Sequence, residues 1–455
     1  MLKKIKKIIY SRKNTSLLKI AVAGIILGLS LSVFLYLTRG PKRNDDYKGI
    51  RKVSVKYINN RYNFYKNGKP FIVKGGSGLT HLKELVECGG NTITCWDTSK
   101  LDKTLEEAAK YNLEVIIGLD LPKAKDDFYK DEKKVKELFD AYSKIVLKYK
   151  DHQSLLAWCL GNELLIPFSL SAPFYNSYYD LLAMMHKSDP NHPVSTSITN
   201  VAKKDIIKLH WRIPALDFIC INIYDRIKTM RQDLSLMKFI WSGPFLLLEW
   251  GPSGGWEAEL TAWGAPIENT STKKAEQYYD RYTNYMARND TRFLGSLAFY
   301  WGSREEYTPT WFSIFNEQGL PTEIKETLYD CWNDTITKHK APKLKYMLID
   351  DLGARDNIIV SSGSIHKASI LLAENQPNDS LQYSWQILKE DWVNWNKTWL
   401  NFKKPPNVNC FSKDSTIQNT NFVAPLKEGP YRVFVTVYNS KGYCATANTP
   451  IYVIK

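Results

Sequence analysis

The chain has 455 residues, of which 44% are hydrophobic and 24% are charged. This composition excludes a disordered or fibrous protein, and the length predicts a large core domain with at least one smaller domain. The formal net charge of +15 raises nucleic acid as a partner, but seven of the basic residues precede residue 20. Because the excess charge is concentrated at one end, we expect no nucleic-acid partner.

The N-terminal region has the charge pattern of a membrane anchor. Residues 20–37 carry no charge and follow the basic stretch 1–19. We expect a cytoplasmic segment over 1–19, a single-pass transmembrane signal-anchor over 20–38 and a linker over 39–58, with the remaining chain periplasmic or extracellular. A cleavable signal peptide is the alternative, although residues 34–37, FLYL, lack an A-x-A-like cleavage site.

The seven cysteines show no Cys-x-x-Cys spacing. We therefore expect no metal ion, no redox centre and no cofactor. Most of these cysteines fall in apolar stretches, where a thiol behaves as a small core residue. Cys410 and Cys444 are the only pair expected as a candidate disulfide, because both fall in the same C-terminal module of a chain expected in an oxidising compartment.

The central part of the chain alternates strand-like and helix-like segments. It opens with a hairpin, residues 62–65 and 70–73, around the turn pair Asn67-Gly68. Eight strand candidates follow at 71–75, 91–95, 113–118, 155–160, 193–197, 217–223, 245–248 and 297–301. This pattern predicts the α/β class and a (β/α)8 TIM barrel over residues 59–337. An open doubly wound sheet is the alternative, but no Gly-x-Gly-x-x-Gly follows the first strand.

Residues 338–455 have a different pattern. Alternating runs at 368–372, 381–387 and 431–438 are separated by Asn, Asp, Gly and Pro, which predicts an antiparallel β-sandwich. The segments YSW at 383–385 and GPYR at 429–432 resemble those of PKD-type or immunoglobulin-like domains. We expect Trp385 to lie in the core of this module. Glycan binding, protein binding and a spacer role remain alternatives for it.

Two glutamates close two of the predicted barrel strands. Glu163 follows the fourth strand in the run Gly161-Asn162-Glu163, and Glu249 ends the seventh. The C-terminal ends of barrel strands form the active-site face, so both acids are expected at one rim. Two carboxylates can cleave a glycosidic bond, one as proton donor and the other as nucleophile or base. A helix-start carboxylate for Glu163 and a satisfied buried acid for Glu249 are the structural alternatives.

These motifs resemble those of clan A glycoside hydrolases, particularly the family 2 barrel domain, over about residues 60–335. Similar motifs lie at 75–76, 90–91, 189–193, 222–224 and 301. The resemblance implies that Glu163 is the acid/base and Glu249 the nucleophile of a retaining mechanism. It implies that Asn162 contacts the hydroxyl next to the reacting carbon, that Tyr224 hydrogen-bonds Glu249 and that Trp301 forms an aromatic floor.

Three further tryptophans near the rim, Trp96, Trp256 and Trp263, are candidate substrate-binding residues. Packing of a lid is the alternative for the last two. One position departs from the family, which carries arginine where this chain has Thr94. This departure implies either impaired turnover or a substitute cation such as Arg304 or Lys74.

We therefore expect a membrane-anchored retaining glycosidase or transglycosylase acting on a β-linked poly- or oligosaccharide. The alternative is a catalytically impaired glycan-binding or scaffolding subunit of a membrane polysaccharide synthase, partnered by a membrane glycosyltransferase.

Overall fold

The computed structural model describes residues 20, 22–33, 35–36, 39–43, 46–124, 127–167, 169, 173–374, 379–390, 404–408, 411 and 417–455. Three antiparallel strands come first: β1 (Val53–Ile58), β2 (Arg61–Lys66) and β3 (Lys69–Phe71). The predicted hairpin is confirmed, because β2 and β3 pair across Asn67 and Gly68, which have φ angles of 49° and 77°. Strand β1 lies inside the stretch expected to be a linker.

The sheet formed by β1, β2 and β3 packs against the N-terminal end of the barrel. Val53 and Phe64 are buried in one cluster with Leu156, Phe218 and Leu246, side chains next to or within barrel strands. The ring of Phe64 meets that of Phe218 edge-on at 5.3 Å. These apolar side chains fill the N-terminal end of the barrel, so a ligand can enter only from the opposite end.

The barrel strands are all parallel. They are β4 (Val73–Ser77), β5 (Thr92–Cys95), β6 (Glu114–Leu119), β7 (Leu155–Leu160), β8 (Val194–Ser195), β9 (Ser197–Thr199), β10 (Ile219–Ile223), β11 (Phe245–Trp250) and β12 (Phe293–Phe299). Their order in the sheet is β8-β7-β6-β5-β4-β12-β11-β10-β9. The two edge strands β8 and β9 are thus consecutive in the chain.

Residue Thr196 joins these two short strands and closes the barrel. Val194 of β8 pairs with Trp158 of β7, and Ser197 of β9 pairs with Cys220 of β10. Thr196 itself contacts both sides, since its hydroxyl donates to the Leu160 carbonyl at 2.8 Å and its carbonyl accepts from the Cys220 N–H at 2.8 Å. Strands β8 and β9 are therefore two halves of one strand, and the predicted eight-stranded barrel is confirmed.

A helix follows each of the eight strand positions. The helices are α1 (Leu82–Glu87), α2 (Leu101–Lys110), α3 (Glu132–Tyr149), α4 (Pro173–Ser188), α5 (Lys203–Arg212), α6 (Met230–Met237), α7 (Ser271–Asp280) and α8 (Glu323–Asn333). Their apolar faces pack against the outward side chains of the strands in one large core. Asp131 illustrates the local cause of a helix start, because its carboxylate accepts from the Lys133 and Lys134 N–H groups.

The predicted C-terminal β-domain is present. Its strands are β13 (Leu344–Ile349), β14 (Ile359–Ser361), β15 (Ile365–Leu372), β16 (Leu381–Lys389), β17 (Asn419–Val423), β18 (Gly429–Asn439) and β19 (Cys444–Ile454). They form one sheet in the order β13-β15-β17 and another in the order β14-β19-β18-β16, with Trp385 buried in their shared core. The exact domain boundaries, 59–337 and 338–455, stay predictions. Cys410 lies outside the described residues, as does the predicted basic segment 1–19.

The prediction of a single-pass membrane anchor over 20–38 is wrong. Among the described residues, no helix is both long and apolar enough to span a bilayer. The predicted cytoplasmic N-terminus and periplasmic or extracellular catalytic domain depended on this anchor and are withdrawn with it.

The close approach of β4 to β5 generates a stability prediction. A β-carbon at Gly75 would lie 1.9 Å from the Thr92 carbonyl oxygen, so Gly75→Ala should force two paired barrel strands apart. We expect a loss of about 3 kcal/mol or more in the free energy of unfolding, measured by urea denaturation. The control is Gly353→Ala, where the nearest atom is 3.7 Å away. Equal stability of the two variants would show that the strands separate without cost.

Candidate active site

Both predicted glutamates lie at the C-terminal rim of the barrel. Glu249 is the next-to-last residue of β11, and Glu163 follows β7 by three positions; both are half-buried. Gly161 and Glu163 have φ angles of 86° and 48°, so the chain turns sharply after β7. A left-handed backbone costs a non-glycine residue about 1–2 kcal/mol, which is typical of side chains held in place for function.

Asn222 of β10 brings the two acids together. Its Cα pairs with that of Glu249 across neighbouring strands, which run about 4.8 Å apart. Its side-chain Nδ2 donates to Glu163 Oε1 at 3.0 Å and to Asn162 Oδ1 at 3.2 Å. The hydroxyl of Ser197 donates to Asn222 Oδ1 at 3.0 Å and fixes the orientation of the amide. The two carboxylates therefore lie close enough for their charges to interact.

Tyr224, directly after β10, hydrogen-bonds the carboxylate of Glu249. Its hydroxyl donates to Glu249 Oε2 at 3.0 Å, the contact that the family resemblance implied. The ring of Tyr224 is almost fully buried and meets the rings of Trp256 and Phe312 at 5.2 Å and 5.5 Å. This packing leaves the hydroxyl directed at the carboxylate.

Arg304, from the loop after β12, acts on Glu249. Thr94 is buried in β5, whereas Arg304 donates from Nε to Glu306 Oε2 at 2.5 Å and lies over the ring of Tyr300, 5.3 Å from its centroid. Burial raises the pKa of Glu249, and the charge on Arg304 opposes this change. The ammonium of Lys74 donates to the Trp332 carbonyl at 2.5 Å. A role of Arg304 as the substitute for the family's arginine stays a prediction.

The electrostatics of the pair favour one shared proton. Burial raises the pKa of Glu163 above the usual 4.5, although its hydrogen bond from Asn222 opposes this change. Burial and then the charge on Glu163 raise the pKa of Glu249 to about 8, against the opposing effects of Tyr224 and Arg304. Two such acids hold a proton between them near neutral pH. Near neutral pH the pair therefore carries one proton and one negative charge, which belong to the two acids together.

Two of the candidate tryptophans border this cleft. Trp256 is 50% exposed and meets Tyr224 edge-on. Trp96, next after β5, packs over the backbone of Gly118, where an added β-carbon would lie 2.0 Å from the indole. Gly118 thus makes room for an aromatic ring at the mouth of the barrel. Trp256 offers an exposed surface on which a sugar ring can stack, and the binding role of Trp96 stays a prediction.

The other two tryptophans lie elsewhere. Trp301 is fully buried in the core between strands and helices, where it stacks on Trp332 at 5.9 Å and donates from Nε1 to the His81 carbonyl at 3.0 Å. It has no exposed face for a sugar, so its assignment as the aromatic floor is corrected. Trp263 meets Tyr452 of β19 at 5.8 Å. It packs against the C-terminal domain and not beside the two glutamates.

Sequence reasoning gave no role to Asn222, Tyr300 and Glu306. Tyr300 packs with Phe299 in the cluster that contains Tyr224. Glu306 is 4% exposed, and after burial its charge further raises the pKa values of Glu163 and Glu249. A polar residue inside the otherwise apolar strand β10 was the available signal for Asn222. A loop conformation, which the sequence does not specify, determines where Glu306 lies.

No family model matches the chain, and no curated protein matches it. Solved structures do. A β-D-glucuronidase from Dictyoglomus thermophilum is 16% identical, with 62% of this chain and 54% of that chain covered and a TM-score of 0.49. A β-galacturonidase from Eisenbergiella tayi is 14% identical, with coverages of 64% and 55% and a TM-score of 0.48. A Bacteroides uniformis β-glucuronidase is 12% identical, with coverages of 88% and 48% and a TM-score of 0.47.

These similar structures carry names of glycoside hydrolases. The chain spans about half the length of each of them. Identities this low concern architecture alone.

The raised pKa of Glu249 predicts a pH-dependent effect of Glu249→Gln. The folded chain holds one proton on the Glu163–Glu249 pair up to about pH 8, whereas an unfolded chain releases it near pH 4.5, so the stability of the wild type falls as pH rises through this window. Glutamine has no charge to bury. We expect the variant to melt at a higher temperature, with an advantage that grows from pH 4.5 to 8, measured by calorimetry. Glu87→Gln, at an exposed site, is the control; a pH-independent advantage would contradict the assignment.

Proposed function

We propose that the chain is a retaining β-glycoside hydrolase. The observation that carries this proposal is the position of Asn222, which pairs with Glu249 through its backbone and binds Glu163 through its side chain. Two carboxylates on opposite sides of one cleft, one protonated and one ionised, match the requirement of double displacement. Retention requires the two carboxyl groups to lie about 5–5.5 Å apart, and inversion about 6.5–9.5 Å.

In the first step, an oxygen of Glu249 attacks the anomeric carbon while Glu163 donates its proton to the departing glycosidic oxygen. The bond from the anomeric carbon to that oxygen breaks, and an ester between the sugar and Glu249 forms. In the second step, the ionised Glu163 takes a proton from water, whose oxygen displaces Glu249. The acid and the nucleophile regain their starting states, and the anomeric configuration is retained.

The surrounding residues have roles that follow from their contacts. Tyr224 and Arg304 stabilise negative charge on Glu249 and so keep it available for attack. Asn162 lies beside Glu163 and is placed to contact the hydroxyl next to the reacting carbon. Trp96 and Trp256 provide stacking surfaces. We propose a β-linked oligo- or polysaccharide as substrate; a sugar hydroxyl in place of water would give transglycosylation by the same intermediate.

A glycan-holding protein without turnover is the second candidate. It is favoured by Thr94 in place of arginine and by the raised pKa of Glu249, because a protonated Glu249 is not a nucleophile. Under this alternative the same cleft binds a sugar and releases it unchanged.

Covalent labelling separates the two candidates. Activated 2-deoxy-2-fluoro glycosides trap the ester intermediate, so mass spectrometry should find one added sugar on the peptide that contains Glu249. The panel includes β-glucosides, β-galactosides, and the glucuronides and galacturonides named for the similar structures. Glu249→Gln should abolish labelling, and Glu163→Ala should recover turnover with azide. Sugar binding by the folded protein without any labelling would support the glycan-holding alternative.

The pH profile of kcat/KM should be bell-shaped. Activity requires one proton on the pair, so it should fall on the acid side at a pKa above 4.5, when both acids are protonated. It should fall on the alkaline side near pH 8, when the shared proton is lost. Glu163→Ala with an activated leaving group should lack the alkaline limb. An alkaline limb that is unchanged in this variant would exclude Glu163 as the proton donor.

A further inference from the structure

A buried polar cluster connects the C-terminal domain to the loops of the barrel rim. We name it the Glu268 cluster; its members are Glu268, Lys274, Thr308, Thr310 and Asn448. Glu268 precedes α7, Thr308 and Thr310 follow β12, and Asn448 belongs to β19. The side chains of Glu268 and Lys274 are 1% and 2% exposed. Charges this deeply buried require partners with defined geometry.

The Glu268 carboxylate receives four donors. Its Oε1 accepts from Lys274 Nζ at 2.5 Å and from the Thr310 hydroxyl at 2.8 Å. Its Oε2 accepts from the Thr308 hydroxyl at 2.6 Å and from Asn448 Nδ2 at 2.6 Å. Asn448 therefore contributes the one donor in this set that comes from the C-terminal domain.

Arg432 of β18 fixes the amide of Asn448. Its Nη1 donates to Asn448 Oδ1 at 2.8 Å, its Nε to Glu390 Oε1 at 2.6 Å and its Nη2 to the Pro266 carbonyl at 2.6 Å. Both ends of the amide are thus engaged, and its direction toward Glu268 is determined. The same Nδ2 of Asn448 also donates to the Thr310 hydroxyl at 3.3 Å.

The cluster continues directly into the active site. The Glu306 N–H donates to the Thr308 carbonyl at 3.3 Å, and Glu306 Oε2 accepts from Arg304 at 2.5 Å. The loop after β12 thus carries both Thr308, which donates to Glu268, and Arg304, whose charge acts on Glu249. A shift of this loop would move the Arg304 charge relative to the nucleophile.

We infer that Asn448 is a positioning residue of the barrel's active site, which acts through Glu268 and Thr308 on the loop that carries Arg304 and Glu306. The C-terminal domain thereby completes a site to which it supplies no catalytic group. This inference rests on the proposed hydrolase activity. Removal of one donor from a buried carboxylate leaves that oxygen underpaired, so the loop should adopt a new arrangement to satisfy it.

The test compares Asn448→Leu with Gln418→Leu in the full chain. Gln418 donates to the Ile370 carbonyl within the C-terminal domain and lies outside the cluster, so it is a matched loss of an amide. We expect Asn448→Leu to lower kcat about tenfold with KM within about twofold, and Gln418→Leu to change neither. In an Arg304→Met background, Asn448→Leu should lower kcat less than about twofold, because the affected cation is already absent.

A second readout does not require turnover. The groups that face Glu249 are Glu163, Tyr224, Glu306 and Arg304, and only the arginine is a cation among them. Carbon-13 NMR of labelled glutamate carboxyls, with Glu249→Gln to assign the signal, should therefore show a higher pKa for Glu249 in Asn448→Leu. If Asn448→Leu fails to fold, Asn448→Ser, which keeps a small donor, takes its place.

Three outcomes are distinct. A multiplicative loss of kcat in the double variant, together with an unchanged titration of Glu249, would overturn the role of Asn448 and leave the hydrolase proposal intact. Absence of fluorosugar labelling, together with a shifted pKa of Glu249 in Asn448→Leu, would overturn the hydrolase proposal and leave the positioning role of Asn448 intact. In the third outcome, the double variant loses less kcat than the product of the two single losses. That result, with a shifted pKa of Glu249, supports both the hydrolase proposal and the role of Asn448.

Discussion

The hydrogen bond from Asn222 to Glu163 is the interaction on which the site depends. Asn222 is fixed by its place in β10, and its backbone pairs it with Glu249 in β11. Its side chain then reaches the acid that follows β7, on the other side of the β8–β9 strand. Because the barrel closes at Thr196, the side chain of Asn222 lies within hydrogen-bond distance of Glu163. Two acids far apart in the chain therefore share one cleft because the barrel is closed.

Negative charge is concentrated at the rim, where Arg304 is the cation among the described groups that act on Glu249. Glu163, Glu249 and Glu306 lie within electrostatic range of one another, and Arg304 pairs with the last while facing the second. Burial strengthens each of these interactions because the effective dielectric constant is low. Such a site destabilises the fold while it holds a proton ready for transfer, which is the usual compromise at catalytic centres.

Much of this architecture could be predicted from the sequence. The apolar runs that become β7 and β11 are buried on both faces, and their polar ends mark the rim. Asn67-Gly68 sets the hairpin because it tolerates positive φ. The orientation of Trp301 could not be predicted, since neighbouring residues after a strand point to opposite sides and Tyr300 takes the cleft side. The anchor prediction failed because an uncharged stretch of suitable length does not by itself specify a spanning helix.

The electrostatic environment of Glu249 depends on contacts that no local pattern reveals. Arg304 acts on Glu249 from the loop after β12, and the inferred role of Asn448 is to hold that loop in place from a different domain. The most direct measurement of the central claim is the distance between the carboxyl groups of Glu163 and Glu249 in a crystal structure. The expected separation is about 5–5.5 Å, with Asn222 hydrogen-bonded to Glu163. A separation above about 6.5 Å, or acids on different sides of the barrel, would contradict it.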